Sequence, residues 1–170
     1  MEVFECVKTL SSIRSYIKKA VPDGIVREVI EAGRLAPSAH NDQPWQFILV
    51  RDKAKLEGLE KYCISGRFVS EVDFAVAVVT DPSSKWHETD GTRAVQNMVL
   101  TAWSHKLGSC WIGNIDRDGL KKYLNIPDKF HVLTVLPFGY FDQRQVSSAK
   151  NRKSPEQVFH LDTFGNRAIK

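Results

Sequence analysis

The chain has 170 residues, 42% of them hydrophobic and 26% charged, which suits one domain with a full core and excludes a disordered segment. A net charge of +4 and a pI of about 9.0 are too mild, and the Lys and Arg residues too dispersed, for a nucleic-acid module, which needs a broad basic face with interleaved aromatics. The longest apolar run, Phe74 to Val79, is far too short to span a bilayer.

The start, Met1-Glu2-Val3-Phe4-Glu5, has no basic segment leading into an apolar one, so no secretory signal is expected. Cys6, Cys63 and Cys110 are odd in number and widely spaced. They match neither a disulfide framework nor a zinc pattern. The expectation is a reducing, cytoplasmic setting with each thiol buried as a small apolar group.

In chain order, Val3, Phe4, Val7 and Leu10 share a helical face, and Ser11-Ser12-Ile13-Arg14-Ser15-Tyr16 breaks it. Val21-Pro22-Asp23-Gly24 opens a second helix with Asp23 as its expected N-cap, and Ile25, Val26, Val29, Ile30, Gly33 and Leu35 form its buried side. Phe47 to Val50 reads as a strand, Lys53 to Tyr62 as a short helix, and Val72 to Thr80 as a valine-rich strand closed by Asp81-Pro82. The longest helix runs from His87 to Lys106, with Gly108 in the C-cap region. Cys110 to Ile112 reads as a brief strand, Asp116 to Leu124 as a helix, and His131 to Gly139 as the last long strand. A basic tail follows, with a small helix near Pro155 to Val158. Its apolar residues, Val158, Phe159, Leu161 and Phe164, would cap the core of a monomer or pack against a partner in a dimer. Interleaved helices and strands without repeats imply one layered α/β or α+β domain over residues 1–170.

Three segments can carry chemistry. The loop Pro37-Ser38-Ala39-His40-Asn41-Asp42-Gln43 joins a helix to a strand and is longer than most such connections. It is either a proline-stiffened surface link or a rim of hydroxyl, amide and backbone donors offered to something flat and polar-edged. Ser12-Ile13-Arg14 offers a hydroxyl and a fixed positive charge. Lys150 and Arg152, one residue apart, point to the same side of an extended chain. Alone, each is ordinary solvated surface; together, such cations suit a small anion such as a phosphate. His87, His105, His131 and His160 share no spacing, so no metal site is expected, and His40 is either a plain surface-loop histidine or one that touches ligand or proton traffic.

In combination these segments resemble the nitroreductase family in its short, single-domain form. The likeness rests on Ser-Ile-Arg-Ser-Tyr, on Val-Pro-Asp, and above all on Ala-Gly-Arg-Leu-Ala-Pro-Ser-Ala-His-Asn-Asp-Gln-Pro-Trp-Gln-Phe. It extends through Ala94-Val95-Gln96-Asn97-Met98, Gly108 to Gly113, and Lys150-Asn151-Arg152-Lys153-Ser154-Pro155. The resemblance implies an α+β fold with a central mixed, mostly antiparallel sheet flanked by helices, and a homodimer with its sites between subunits. It implies FMN as cofactor, NAD(P)H as donor and a nitroaromatic, quinone or similar conjugated acceptor, with the flavin rather than a protein nucleophile carrying the chemistry. Relatives on the same scaffold that store flavin, fragment it or remove halogen reductively are the alternatives.

By resemblance, Ser12 and Arg14 contact the cofactor, Arg14 near the pyrimidine edge where the reduced ring is negative. Lys150 and Arg152 clamp the phosphate. Pro37, Ser38, Ala39, Asn41 and Gln43 line the ring, partly from across the subunit interface. Ile112, Gly113 and Asn114 bring main chain to the redox-active nitrogen, where glycine permits close approach. Val95, Met98, Val99 and Ala102 form part of the dimer contact or, equally, an internal helix face. Many members carry an arginine just before the Ser-x-Arg pattern; Leu10 and Ser11 stand there in this chain. The phosphate then depends more on Lys150, Arg152 and Ser12, or on a compensating cation such as Arg67.

Overall fold

The computed structural model describes residues 2–146 and 150–166. At its centre β1 (Trp45–Val50), β2 (Phe74–Thr80), β4 (His131–Tyr140) and β3 (Leu107–Ser109) form a sheet in the order β1-β2-β4-β3. Each strand pair is antiparallel, and a parallel bridge from Ser12 to Ser109 makes the sheet mixed. The α+β architecture implied by the resemblance is the one observed.

The sheet has two covered faces, which explains why β2 is buried along its whole length and shows no polar alternation. Side chains on successive residues leave opposite faces. Phe74, Val76 and Val78 meet Val29 of α2 (Asp23–Arg34) and Met98 and Ala102 of α4 (His87–Ser104). Ala75, Ala77 and Val79 meet Leu56 and Leu59 of α3 (Lys53–Leu59) and Leu120 of α5 (Arg117–Leu124). Two helices lie outside these layers, α1 (Val3–Thr9) and α6 (Pro155–Val158).

Several expectations change. The third strand is Leu107–Ser109, not Cys110–Ile112, and α4 ends at Ser104. Lys106 takes the left-handed conformation (φ 61°) that turns the chain, so Gly108 is a strand residue rather than a cap. Its missing side chain serves packing: a Cβ there would lie 2.6 Å from Ile13 Cγ1 and 2.7 Å from Ile13 Cβ. Continuing the β3 register places Cys110 opposite Pro137 and Trp111 opposite Leu136, with the bridge resumed at Ile112 to Val135. Proline has no N–H to give Cys110, so the ladder opens at this point.

Asp23 is the first residue of α2 and does not cap it; its carboxylate pairs with Arg51 instead. Leu35 is exposed. The apolar face of α1 points outward, with Val3 74% and Phe4 70% exposed, and Cys6 is the helix's buried residue. Met98 and Ala102 are fully buried inside this chain, so they cannot carry a contact with a second one, whereas Val99 is only partly covered. The tail residues Val158, Phe159, Leu161 and Phe164 are exposed and do not cap the core. All three cysteines are free and buried.

Candidate cofactor site

A groove of about 910 Å³ opens where the ladder parts at Cys110 and Trp111. Its volume is within the range of roughly 300–1,000 Å³ typical of small-molecule sites. Ser12, Arg14, Lys150 and Arg152 all line it, drawn from two segments far apart in sequence.

Each cation is placed by local structure. Residues 12 to 14 run alongside β3: Ser12 bridges Ser109, and the Ile13 N–H donates to the Ser109 carbonyl at 2.9 Å. Ile13 is buried, which turns Ser12 and Arg14 outward. Tyr16 locks the segment by donating its hydroxyl to the Ile13 carbonyl at 2.7 Å, and burial raises its pKa. Lys150 Nζ donates to the Val7 carbonyl at 2.7 Å, an acceptor in the last turn of α1 that the helix leaves open. An ammonium has three donors, so this bond leaves others for a ligand. Arg152 Nη1 donates to the Asn151 carbonyl at 2.9 Å.

Among the described residues, none of these three cations pairs with a carboxylate. Burial and, secondarily, the Arg152 charge lower the pKa of Lys150. Two adjacent cations without a counter-ion form a ready anion site. Its apolar lining comes from the partly exposed Val99 and the exposed Trp111, backed by buried Val95 and Leu136. Cys110 also lines the groove; burial raises its thiol pKa against the opposing pull of Arg14 and of hydrogen bonds from Ser12 and Arg14. The arrangement fits a ligand with an anionic end and a flat, partly apolar body.

Leu10 and Ser11, just before the Ser-x-Arg pattern, also line the groove. Arg67 does not compensate within this chain: it lies in a different groove, beside Lys61, Tyr62 and Tyr123. Ile112 is 1% exposed; its N–H donates to the Val135 carbonyl at 3.2 Å, and its carbonyl accepts the Thr134 hydroxyl at 3.0 Å. It therefore anchors the segment from inside. Gly113 and Asn114 are exposed immediately beyond it. At Gly113 an added Cβ would meet only the Trp111 ring, at ordinary contact distances of 3.6 and 3.7 Å. Nothing crowded inside this chain demands glycine there.

Pro37, Ser38, Ala39, Asn41 and Gln43 form a separate ledge, and none of them lines the groove. His40, Asn41 and Gln43 have φ values of 53°, 59° and 48°. Left-handed backbone costs residues with a Cβ roughly 1–2 kcal/mol each, less for Asn. The ledge persists because it is tied from several sides. The Gln43 N–H donates to Ser38 Oγ at 3.1 Å, the Asp42 N–H to the Ala39 carbonyl at 3.0 Å, and Ser84 Oγ to Asp42 Oδ2 at 2.9 Å. The Ala39 N–H donates to Asp90 Oδ2 at 3.0 Å. Asp90, in the first turn of α4, is 0% exposed. Sequence reading passes over it, because an acid in a helix's first turn is an ordinary dipole partner.

Among the described residues there is no cluster of three or more potential metal ligands, and no helix is long and apolar enough to cross a membrane.

A family model described as Nitroreductase family matches residues 7–91 and 81–140. A protein of Archaeoglobus fulgidus provisionally named NADH dehydrogenase/NAD(P)H nitroreductase is 32% identical, over 91% of this chain and 96% of its own length. A Parabacteroides distasonis structure under the same provisional name superposes with a TM-score of 0.86 at 29% identity, covering 95% of this chain and 98% of that one. The FMN-dependent nitroreductase of Clostridium difficile superposes with a TM-score of 0.83 at 26% identity, covering 95% and 99%.

Proposed function

The chain belongs to the nitroreductase family of oxidoreductases, and on that premise we propose that it binds FMN and passes electrons from NAD(P)H to a conjugated electrophile such as a nitroaromatic or a quinone. The observation that carries this reading is the groove in which Arg14, Lys150 and Arg152 converge, none of them paired with a carboxylate among the described residues. When bound, FMN supplies reversible hydride uptake between the nicotinamide and the acceptor.

The residues supply position and charge. Lys150 and Arg152 hold the phosphate through charge-assisted bonds, and the Ser12 hydroxyl adds a neutral one. Arg14 would supply a fixed positive charge favouring an electron-rich ring held in the groove. Gly113 offers an N–H with no side chain in the way, and Ile112 fixes that segment from the core. The absence of crowding around Gly113 inside the chain supports this role, because the need for glycine then comes from what docks on it.

The functional unit in this reading is a homodimer. The 37–43 ledge is outside the groove of its own chain, and the outward apolar face of α1 and the exposed Phe159 and Phe164 are available to a second copy. The ledge then completes the partner's site, in a soluble cytoplasmic enzyme.

A visible spectrum of the purified protein, followed by NADPH and NADH oxidation with menadione or a nitrofuran, tests the proposal. The expected result is a yellow dimer that turns over with one of the two donors. Bound flavin without turnover would favour storage, and a colourless protein that ignores added FMN would end the proposal.

A further inference from the structure

Asp90 has no part in the groove, yet its carboxylate is buried on the far side of the 38–43 ledge. Its two oxygens face two different partners: Oδ2 accepts the Ala39 N–H at 3.0 Å, and Oδ1 accepts Arg93 Nη1 at 3.2 Å. The pair is lopsided. The Asp90 side chain is 1% exposed and that of Arg93 is 51% exposed. A buried carboxylate is retained only where its bonds offset its desolvation. Here one of those bonds reaches across 51 residues to the first residue of a turn whose next members include three left-handed, non-glycine residues.

The carboxylate itself is rigidly placed. Gly91, its neighbour, lies so close to the sheet that a Cβ would fall 2.7 Å from Thr80 Cγ2 and 2.8 Å from Leu133 Cδ2. The Asp90 N–H is engaged with the Trp86 carbonyl at 2.9 Å. The first turn of α4 is thus pinned to the core, and Asp90 transmits that position to Ala39. The other end of the ledge is fixed by the Asp81 N–H, which donates to the Pro44 carbonyl at 2.8 Å.

We propose that Asp90 is a positioning residue for the cofactor: supported by Arg93, it holds the 38–43 ledge in the shape that receives the flavin ring. The inference rests on the reading that this ledge lines the ring. Removing the carboxylate lets the ledge relax toward ordinary backbone conformations, so the free protein has to reorder it on binding. Asn keeps an oxygen acceptor for Ala39 and is the conservative substitute. The same bond can be cut from its other end by Ala39→Pro, because proline is tolerated at the start of a helical turn and residue 38 is already extended, as a residue before proline must be.

The test uses the full-length protein stripped of flavin. FMN affinity is measured by fluorescence titration, and amide exchange is followed at residues 39 to 43 without flavin. Asp90→Ala and Ala39→Pro are each expected to weaken FMN by about tenfold and to accelerate exchange at Gln43. Asp90→Asn is expected to stay within about threefold of wild type in both readouts. The double variant Asp90→Ala/Ala39→Pro is expected to be no weaker than the worse single variant, because both cut one bond. Should Asp90→Ala fail to fold, Ala39→Pro and Asp90→Asn still decide the matter. Unchanged FMN affinity and exchange in Ala39→Pro, or additive losses in the double variant, would overturn the role of Asp90 while leaving the flavin reading intact. Failure of the wild-type protein to bind FMN, with exchange at Gln43 still accelerated by Ala39→Pro, would refute the flavin reading and the cofactor role of Asp90 together.

Discussion

Lys18, Lys19, Arg51 and Lys53 gather around one groove of about 280 Å³, and Arg14, Lys150 and Arg152 around another of about 910 Å³. In the first, most of the charge is already used. Arg51 bonds Asp23 at 2.5 Å, Asp73 at 3.0 Å and the Val21 carbonyl at 3.3 Å. Lys19 lies 4.2 Å from the centre of the Tyr140 ring, and Lys53 approaches Glu57 at 3.8 Å. In the second, Lys150 and Arg152 bond main-chain carbonyls, Arg14 reaches the Cys110 thiol, no carboxylate among the described residues pairs with any of the three, and burial followed by the Arg152 charge lowers the Lys150 pKa. The difference teaches that a count of basic residues does not locate an anion site. Cations held near one another without counter-ions do.

The largest effect expected from that contrast is on cofactor retention. Lys150→Ala and Arg152→Ala should each weaken FMN roughly 10–100-fold, since a hydrogen bond to a charged group contributes about 1.5–3 kcal/mol. Arg51→Ala and Lys18→Ala should leave FMN affinity unchanged. Titration of the flavin-free variants reads both halves of the contrast. Equal losses from both grooves would dissolve the distinction.

Next in size is Gly108→Ala. The new methyl group collides with Ile13, which is buried and lies between Ser12 and Arg14, the two proposed cofactor contacts. Overpacking of this kind costs about 1–3 kcal/mol. Thermal unfolding should show the loss, and flavin content should fall with it, although no cofactor contact has been removed.

A smaller effect concerns pH. The pKa of Lys150 is lowered in the free protein by burial and then by Arg152. A bound phosphate favours the charged ammonium and raises that pKa. FMN affinity should therefore hold at neutral pH and fall as pH rises through the lowered value of the free protein, below the onset for an ordinary lysine. Lys150→Arg should remove the decline, because a guanidinium stays charged. Smallest of all, Arg51→Ala should lower the melting temperature slightly and in a salt-dependent way, as its pair with exposed Asp23 is screened by solvent.

Much of the molecule was legible in its residues. The valine run of β2 and the long apolar run of β4 declare themselves because both faces of those strands are covered. The candidate groove was legible as separate pieces, Ser12 with Arg14 and Lys150 with Arg152, and the fold brings them together. β3 was misplaced because three residues carry no period, and the feature that ends it, Pro137, belongs to the partner strand. Leu35, Val3 and Phe4 have a helical spacing that marks a face without telling whether the same chain covers it. Asp90 was hidden for a different reason: its role depends on a loop 51 residues away, and local sequence carries no trace of that contact.

The most direct measurement compares FMN with riboflavin, which lacks the phosphate, in titrations of the flavin-free wild type and of Lys150→Ala/Arg152→Ala. The account predicts that the wild type prefers FMN at least tenfold and that the preference disappears in the double variant. Equal affinity of the wild type for the two flavins, or a preference that survives loss of both cations, would contradict it.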